Sequence, residues 1–380
     1  MSSDVLNFNQ AEIDLAALRH NFICLQQMYP LRSLMAVVKG DAYGHGLEEC
    51  ARALVQAGAG NLGVLDAEEG VRLVKAKIQA DIHILAGLQT KEQIKAAVEN
   101  KLIIVAYSLP QLKLIEDLAP KGSAAQVYLK IDTGMGRLGL PWREAPAVLP
   151  NLVRNTKIFF RGLMTHLATA GDSEAKLQLD RFEEIIEIEK SLSLTGGLHS
   201  ALAGPGILAH PEYEDSMPRA GLLLYGANPL ETVPEQISPE RVGLIKKLKP
   251  VMTLVSQVIQ VRTIRAGETV SYDRTYSAPS DLKAAVLPLG YVHGLSRSRS
   301  SNGWALIDGR PAPLLGRVCM NLTMFDVSSH PDPRPGQRAV ILGRDGQAVI
   351  TAAQAAQWQG TSAYEIFCLF GRLNARAFKD

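Results

Sequence analysis

The sequence predicts an α/β chain: a (β/α)8 TIM barrel over residues 1–245, followed by a mainly β C-terminal domain over residues 246–380. Three observations carry this expectation. The 380 residues are enough for two domains of roughly 100–200 residues each. The first two-thirds alternates short apolar runs with segments of helical period, giving eight strand–helix units in about 225 residues, a better match to a closed barrel than to an open doubly wound sheet. From about Leu248 the texture changes to β-branched runs divided by Gly, Pro and Asp-Gly turns.

The expected barrel strands are Ser33–Lys39, Leu62–Asp66, Asp81–Ala86, Leu102–Tyr107, Ala125–Asp132, Ile158–His166, Leu198–Ala201 and a last one near Ser216–Gly221. Between them lie helical patterns such as Glu48–Ala57 and Ala67–Lys77. The strongest, Glu174–Ser191, sets Leu177, Phe182, Ile185, Ile186 and Ile188 beside acidic residues. Pro229–Pro250, with Pro234, Pro239 and several charges, reads as the connection. Beyond it come Val251–Ile264, Ala284–Gly290, Trp304–Ile307, Pro313–Cys319, Met324–Val327 and Ala339–Leu342. Asp308-Gly309 and Asp345-Gly346 serve as hairpin dipeptides, and a short helix, Ser362–Phe370, follows.

Composition narrows the function. Forty Lys+Arg against 38 Asp+Glu leaves a formal charge of +2, too small a field to argue for nucleic acid or an anionic membrane, so a small-molecule partner is the default. With 47% apolar and 21% charged residues the chain can bury a sizeable core. No apolar run approaches the roughly 18 residues that span a bilayer. Met1–Asn7 has neither the basic segment nor the apolar core of a signal peptide, so cytoplasm is the expected location. Cys24, Cys50, Cys319 and Cys368 stand far apart, which suggests buried free thiols and neither a zinc site nor a redox pair. Gly58-Ala59-Gly60-Asn61-Leu62-Gly63 fits G-x-G-x-x-G, but it follows a helical pattern and precedes a strand, the reverse of a pyrophosphate cradle.

Barrel active sites lie at the C-terminal ends of the strands. Lys39 ends the first strand, where desolvation and neighbouring cations can lower its pKa and make the amine nucleophilic; by position alone a solvated lysine is equally expected there. The loop after it, Gly40 to Gly46, offers the Tyr43 hydroxyl and backbone N–H groups to a phosphate.

The complete string Ala36-Val37-Val38-Lys39-Gly40-Asp41-Ala42-Tyr43-Gly44-His45-Gly46 closely resembles the lysine motif of the alanine racemase family, enzymes that use pyridoxal 5'-phosphate. The resemblance continues in order through Glu12-Ile13-Asp14-Leu15, Leu129 to Gly139, Thr165-His166-Leu167-Ala168, Pro218-Arg219-Ala220-Gly221, Leu224-Tyr225-Gly226, Val270-Ser271-Tyr272 and Gly316 to Met320. It covers almost the whole chain and implies the same two-domain fold.

The resemblance implies interconversion of L- and D-alanine by two bases on opposite faces of the substrate. Lys39 holds the cofactor covalently and handles the D-isomer's proton, and Tyr272 handles the L-isomer's. His166 tunes that tyrosine and Arg219 faces the pyridine nitrogen. The phosphate falls to Tyr43, Tyr364 and the amides of Gly221 and Leu222. Arg137 engages the substrate carboxylate, Lys130 is a possible carbamylated lysine beside it, and Met320 and Tyr291 close the pocket. A homodimer is implied, one chain's β domain completing the other chain's site.

Four positions depart from the family pattern. Leu202 and Ala203 replace an Asn-Ser pair and remove a phosphate hydrogen bond of about 0.5–1.5 kcal/mol. Asn321 stands for an aspartate, removing a negative charge, and His293 for another; the C-terminal run Arg372–Arg376 is only partly preserved. A racemase of another amino acid, such as serine or a broader set, and a catalytically weakened cofactor-binding paralogue are therefore the competing expectations. Retention of both bases argues against the paralogue.

Overall fold

In the computed structural model, which describes residues 7–29, 33–86, 88–119, 124–192 and 197–380, the apolar runs of the first two-thirds form a closed ring of parallel strands. Met35–Val37, Asn61–Val64, Asp81–Ile84, Ile103–Ala106, Ala125–Asp132 and Ile158–Met164 pair in succession. Single bridges at Met164–Ser200 and Ala203–Arg219 carry the ring onward, and Arg219–Ala220 pairs with the first strand to close it. Seven of the eight expected strands are present. The seventh, Leu198–Ala201, is reduced to the bridge at Ser200.

Strand alternation divides the barrel core in two. Met35, Ile103, Val105, Tyr128, Met164 and Met217 fill the interior, and the residues between them pack outward beneath the helices. Several helices start on a side chain that accepts a backbone N–H, as Asp66, Thr90, Ser108 and Asp172 do. The longest, Ser173–Ser191, buries Phe182 and Ile185, whereas Leu177 faces outward at 40% exposure.

The second domain is an antiparallel sheet in the order Gln260–Ile264, Leu282–Leu287, Thr323–Asp326, Arg310–Leu315, Trp304–Ile307, Arg338–Asp345, Met252–Gln257. Asp308-Gly309 turns the hairpin between Trp304–Ile307 and Arg310–Leu315 with both residues at positive φ, 51° and 69°. The single run Val251–Ile264 is broken into two strands, and the helix near the C-terminus extends over Ala363–Leu373.

Two expectations are corrected. The division at 245/246 assigns the N-terminal residues to the barrel, but Gln10–Asp14 pairs antiparallel with Met252–Gln257 and parallel with Ala375–Lys379, inside the second sheet. Its alternation explains this: Ala11 and Ile13 are fully buried between less buried polar neighbours, a half-buried strand whose partners lie more than 200 residues away in sequence. Within the connection, Pro239–Ile245 is helical with proline in its first turn. The four cysteines are free, but only Cys50 is fully buried. Met1–Leu6, on which most of the signal-peptide expectation rests, lies outside the described residues. Among the described residues no helix is long and apolar enough to cross a membrane.

Candidate active site

A cavity of about 830 Å³ opens at the C-terminal end of the barrel. Lys39, Tyr43, Lys130, Arg137, His166 and Arg219 line it, as do Gly221, Leu222 and, from the second domain, Tyr364. Residues more than 300 positions apart in sequence therefore share one wall.

The wall begins with an unusual turn. After Lys39 the backbone enters the left-handed region at Gly40 (φ 66°) and stays there through Asp41 (57°), Ala42 (54°) and Tyr43 (54°). Left-handed backbone costs roughly 1–2 kcal/mol for each residue with a side chain, so three such residues persist only where surroundings hold them. Asp41 is fastened on several sides. Its N–H donates to Glu69 Oε1 at 2.9 Å, its carboxylate accepts from Leu47 N at 3.0 Å and from Arg376, and Arg376 also donates to the Gly44 carbonyl at 3.3 Å. On the inner side His45 Nδ1 lies 2.9 Å from the Ala42 carbonyl and 3.1 Å from that of Tyr43.

The turn aims two groups. Burial, with the charges of Arg137 and Arg219, lowers the pKa of the Lys39 amine. Tyr43 packs against Gly221 so closely that a Cβ there would lie 2.5 Å from its hydroxyl, which only glycine permits. The Tyr364 ring lies 6.0 Å from that of Tyr43, so two phenols flank the Gly221-Leu222 backbone. Burial raises the pKa of both, keeping them protonated donors at neutral pH.

Arg219 is almost fully buried on the last strand. Its guanidinium donates to Ser200 Oγ at 2.6 Å, to the Thr165 carbonyl at 2.8 Å and to the ring of His166 at Nδ1, 3.1 Å away. An arginine has no acceptor, so His166 Nδ1 must accept and its proton resides on Nε2. Burial, then the charge of Arg219, pushes the His166 pKa down to about 2, so the ring is neutral. Burial also lowers Arg219 to about 10, which still leaves it charged at neutral pH. The counter-charge is Asp215, fully buried, accepting the N–H groups of Ala201, Leu202 and Met217. Burial raises its pKa to about 6.

Opposite stand Lys130 and Arg137. Lys130 is buried on the fifth barrel strand, and its pKa falls to about 7 through burial and the charges of Arg219, Arg137 and Lys39. Asp132 shapes the next loop by accepting the N–H groups of Gly134, Gly136 and Arg137 at 2.9, 3.1 and 3.2 Å. The Arg137 side chain is thereby set at the rim, where no described residue pairs with it. The lining is cationic overall, with Asp172 its one carboxylate among the described residues.

The structure does not bring Tyr272, Tyr291 and Met320 into this cavity. They stand on the second domain at 64, 40 and 52% exposure. Tyr272 rides on its own strained turn: Ser271, Asp273 and Arg274 have φ of 69°, 60° and 49°. Ser271 Oγ donates to the Arg317 carbonyl at 2.8 Å, and Arg317 pairs with Asp273 at 3.2 Å. Asn321 and His293 border a separate cavity of about 390 Å³.

At the departures from the family pattern, Leu202 is buried with its N–H on Asp215, and Ala203 faces the main cavity with no side chain able to hydrogen-bond. Sequence reasoning missed Asp132, Asp215, Ser200 and Arg376, each of which acts on a site residue through backbone or guanidinium contacts. Asp132 and Arg376 fell within the motifs quoted above; nothing local in the sequence marks Asp215.

The N-terminal domain model of alanine racemase matches residues 13–229 and the C-terminal domain model residues 251–378. An alanine racemase of Syntrophobacter fumaroxidans is 36% identical over 378 residues, covering 97% of each chain; one from a Nostoc species is 36% identical over 367 residues, covering 94% of this chain and 92% of the other. The solved alanine racemase of Streptomyces coelicolor A3(2) superposes with a TM-score of 0.90 at 33% identity over all of both chains. Motif order, fold and full-length similarity coincide, and this chain belongs to the alanine racemase family.

Proposed function

We propose that the chain interconverts L- and D-alanine with pyridoxal 5'-phosphate bound in the barrel cavity. The observation that carries this reading is the Lys39 amine, held at a strand end where burial and neighbouring cations lower its pKa, in the cavity where Tyr43 packs on Gly221. The residues present fit the cofactor. Tyr43, Tyr364 and the Gly221 and Leu222 amides suit its phosphate, Lys39 its aldehyde carbon, and Arg219 its ring nitrogen.

When bound, the cofactor supplies the conjugated, electron-withdrawing ring that acidifies the substrate Cα–H. The rest falls to the chain. Arg219 keeps its proton and so leaves the ring nitrogen without one, limiting how far charge spreads into the ring. Arg137, with which no described residue pairs, receives the substrate carboxylate. Lys39 moves the proton on one face. Tyr272 moves it on the other; since it lies outside its own chain's cavity, it comes from a second copy in a homodimer, together with Tyr291 and Met320. The Nε2–H of His166 is left to donate to the Tyr272 oxygen, which favours the phenolate and makes a better base. Lys130, near neutrality at pH 7, presents the free amine that adds carbon dioxide, losing a proton and becoming a carbamate beside Arg137. The division at 245/246, with Gln10–Asp14 moved to the second domain, then parts Lys39 from Tyr272, while Tyr364 of the second domain stays with its own chain's cavity.

A second reading, a racemase of broader small-amino-acid range, is favoured by Ala203, His293 and Asn321. One experiment addresses both. Protein reconstituted with pyridoxal phosphate is incubated with single enantiomers in deuterated water and followed by chiral chromatography and NMR. The expected result is loss of optical purity with Cα deuteration, fastest for alanine. Faster turnover of serine selects the second reading, and no exchange with any amino acid overturns both.

A further inference from the structure

We propose that His45 is the positioning residue of the Lys39 turn: its Nδ1–H, shared between the carbonyls of Ala42 and Tyr43, holds the turn in its left-handed form and thereby places the Lys39 amine and the Tyr43 hydroxyl. The proposal rests on the reading of the cavity as a pyridoxal-phosphate site. The turn has two ends. Asp41 secures the first through Glu69, Leu47 and Arg376, but none of those contacts reaches Tyr43, whose hydroxyl meets Gly221. Arg376 reaches the Gly44 carbonyl just beyond it, and His45 grips the carbonyls of Ala42 and Tyr43 themselves.

The tautomer follows from the partners. Both are carbonyl oxygens, so Nδ1 carries the hydrogen. Nε2 is buried with no partner among the described residues and stays so as a bare acceptor, since a second N–H there would be left unpaired. The ring has no room to turn away. It stacks on Tyr225 with centroids 4.3 Å apart and meets the edge of Phe367 at 4.9 Å. Tyr225 in turn donates to the Val37 carbonyl at 3.1 Å, at the end of the strand that delivers Lys39. Strand end and turn are thus tied through one buried pair of rings, and His45 touches neither substrate nor cofactor itself.

The test compares His45→Asn, whose Nδ2 stands the same number of bonds from the backbone as histidine Nδ1, with His45→Gln, whose amide sits one methylene further out, and His45→Phe, which keeps a ring and loses the donor. Pyridoxal-phosphate affinity, visible circular dichroism of the bound cofactor and hydrogen exchange of the amides in 40–46 of cofactor-free protein are read for each. Loss of one such hydrogen bond should weaken cofactor binding and speed exchange by about tenfold in H45F and H45Q, with exchange elsewhere in the barrel unchanged, and H45N should stay within about threefold of the parent. Parent-like affinity and protection in H45F overturn the proposal, as does an H45N as defective as H45Q. Should H45F not fold, the comparison of H45N with H45Q decides. Should the parent itself take up no pyridoxal phosphate, the functional reading fails, while exchange in the turn still judges the clamp: faster in H45F supports it, unchanged overturns it.

Discussion

The two halves of the site are built in opposite ways. In the barrel, Lys39, Lys130, His166 and Arg219 sit in a walled cavity, shifted in pKa by burial and by one another, with Arg219 and His166 hydrogen-bonded. In the second domain, Tyr272, Tyr291 and Met320 face outward and Tyr272 stands 64% exposed on a turn held by Ser271 and Asp273. The barrel half has its electrostatics installed within one chain, whereas the β half offers geometry and awaits surroundings. Under the proposed function, catalytic tuning of Tyr272 comes from across an interface.

The largest effect tests the barrel half alone. Lys39→Ala should remove the visible absorbance of covalently held cofactor and lower turnover by roughly four orders of magnitude, while the melting temperature stays near the parent's; a retained covalent band contradicts the assignment. The β half is tested by Tyr272→Phe. Exchange of the L-isomer's Cα hydrogen should fall by about 10²–10³-fold and that of the D-isomer far less, and equal losses would break the two-base scheme. Mixing the two inactive variants joins the halves. In a statistical mixture half of the dimers are hybrids with one intact site of two, so activity should return to about a quarter of the parent's. No recovery after subunit exchange would place both bases in one chain.

The smallest effect concerns stability. Burial holds His45 and His83 down at about 3 in the barrel, below their ordinary 6.5, so unfolding takes up protons there. Their stabilising effect is complete above pH 6.5 and is lost as pH falls towards 3. Asp215, raised to about 6 from 3.8, works oppositely, adding stability as pH falls through that interval. Denaturant titrations should show acid loosening the protein from about pH 6.5 downward, and His83→Asn should flatten the dependence by about one proton, or 1.4 kcal/mol per pH unit. An unchanged slope would mean that His83 titrates normally in the fold.

The barrel was legible because each strand is a local apolar run followed by a helix with its own cap, so period and turn residues suffice. Gln10–Asp14 was not, since a five-residue alternating run acquires meaning only from Ala375–Lys379 and Met252–Gln257. In the site, Lys39 was marked by its place at a strand end, whereas His166, Arg219 and Tyr364 looked ordinary until motifs in family order were recognised. Asp215 stayed invisible because its role depends on three backbone N–H groups that converge only after folding. The exposure of Tyr272 is likewise a property of the folded chain that composition does not show.

The pairing of Gln10–Asp14 with Ala375–Lys379 also governs when the molecule can be finished. During synthesis Gln10–Asp14 must wait for Ala375–Lys379 to leave the ribosome before its edge is covered, a contact between distant segments that is correspondingly slow to form. Arg376 belongs to that same final strand and fastens Asp41 and Gly44, so the lysine turn is secured among the last events of folding. A nascent or C-terminally clipped chain would hold a nearly complete barrel whose reactive lysine is not yet set in place.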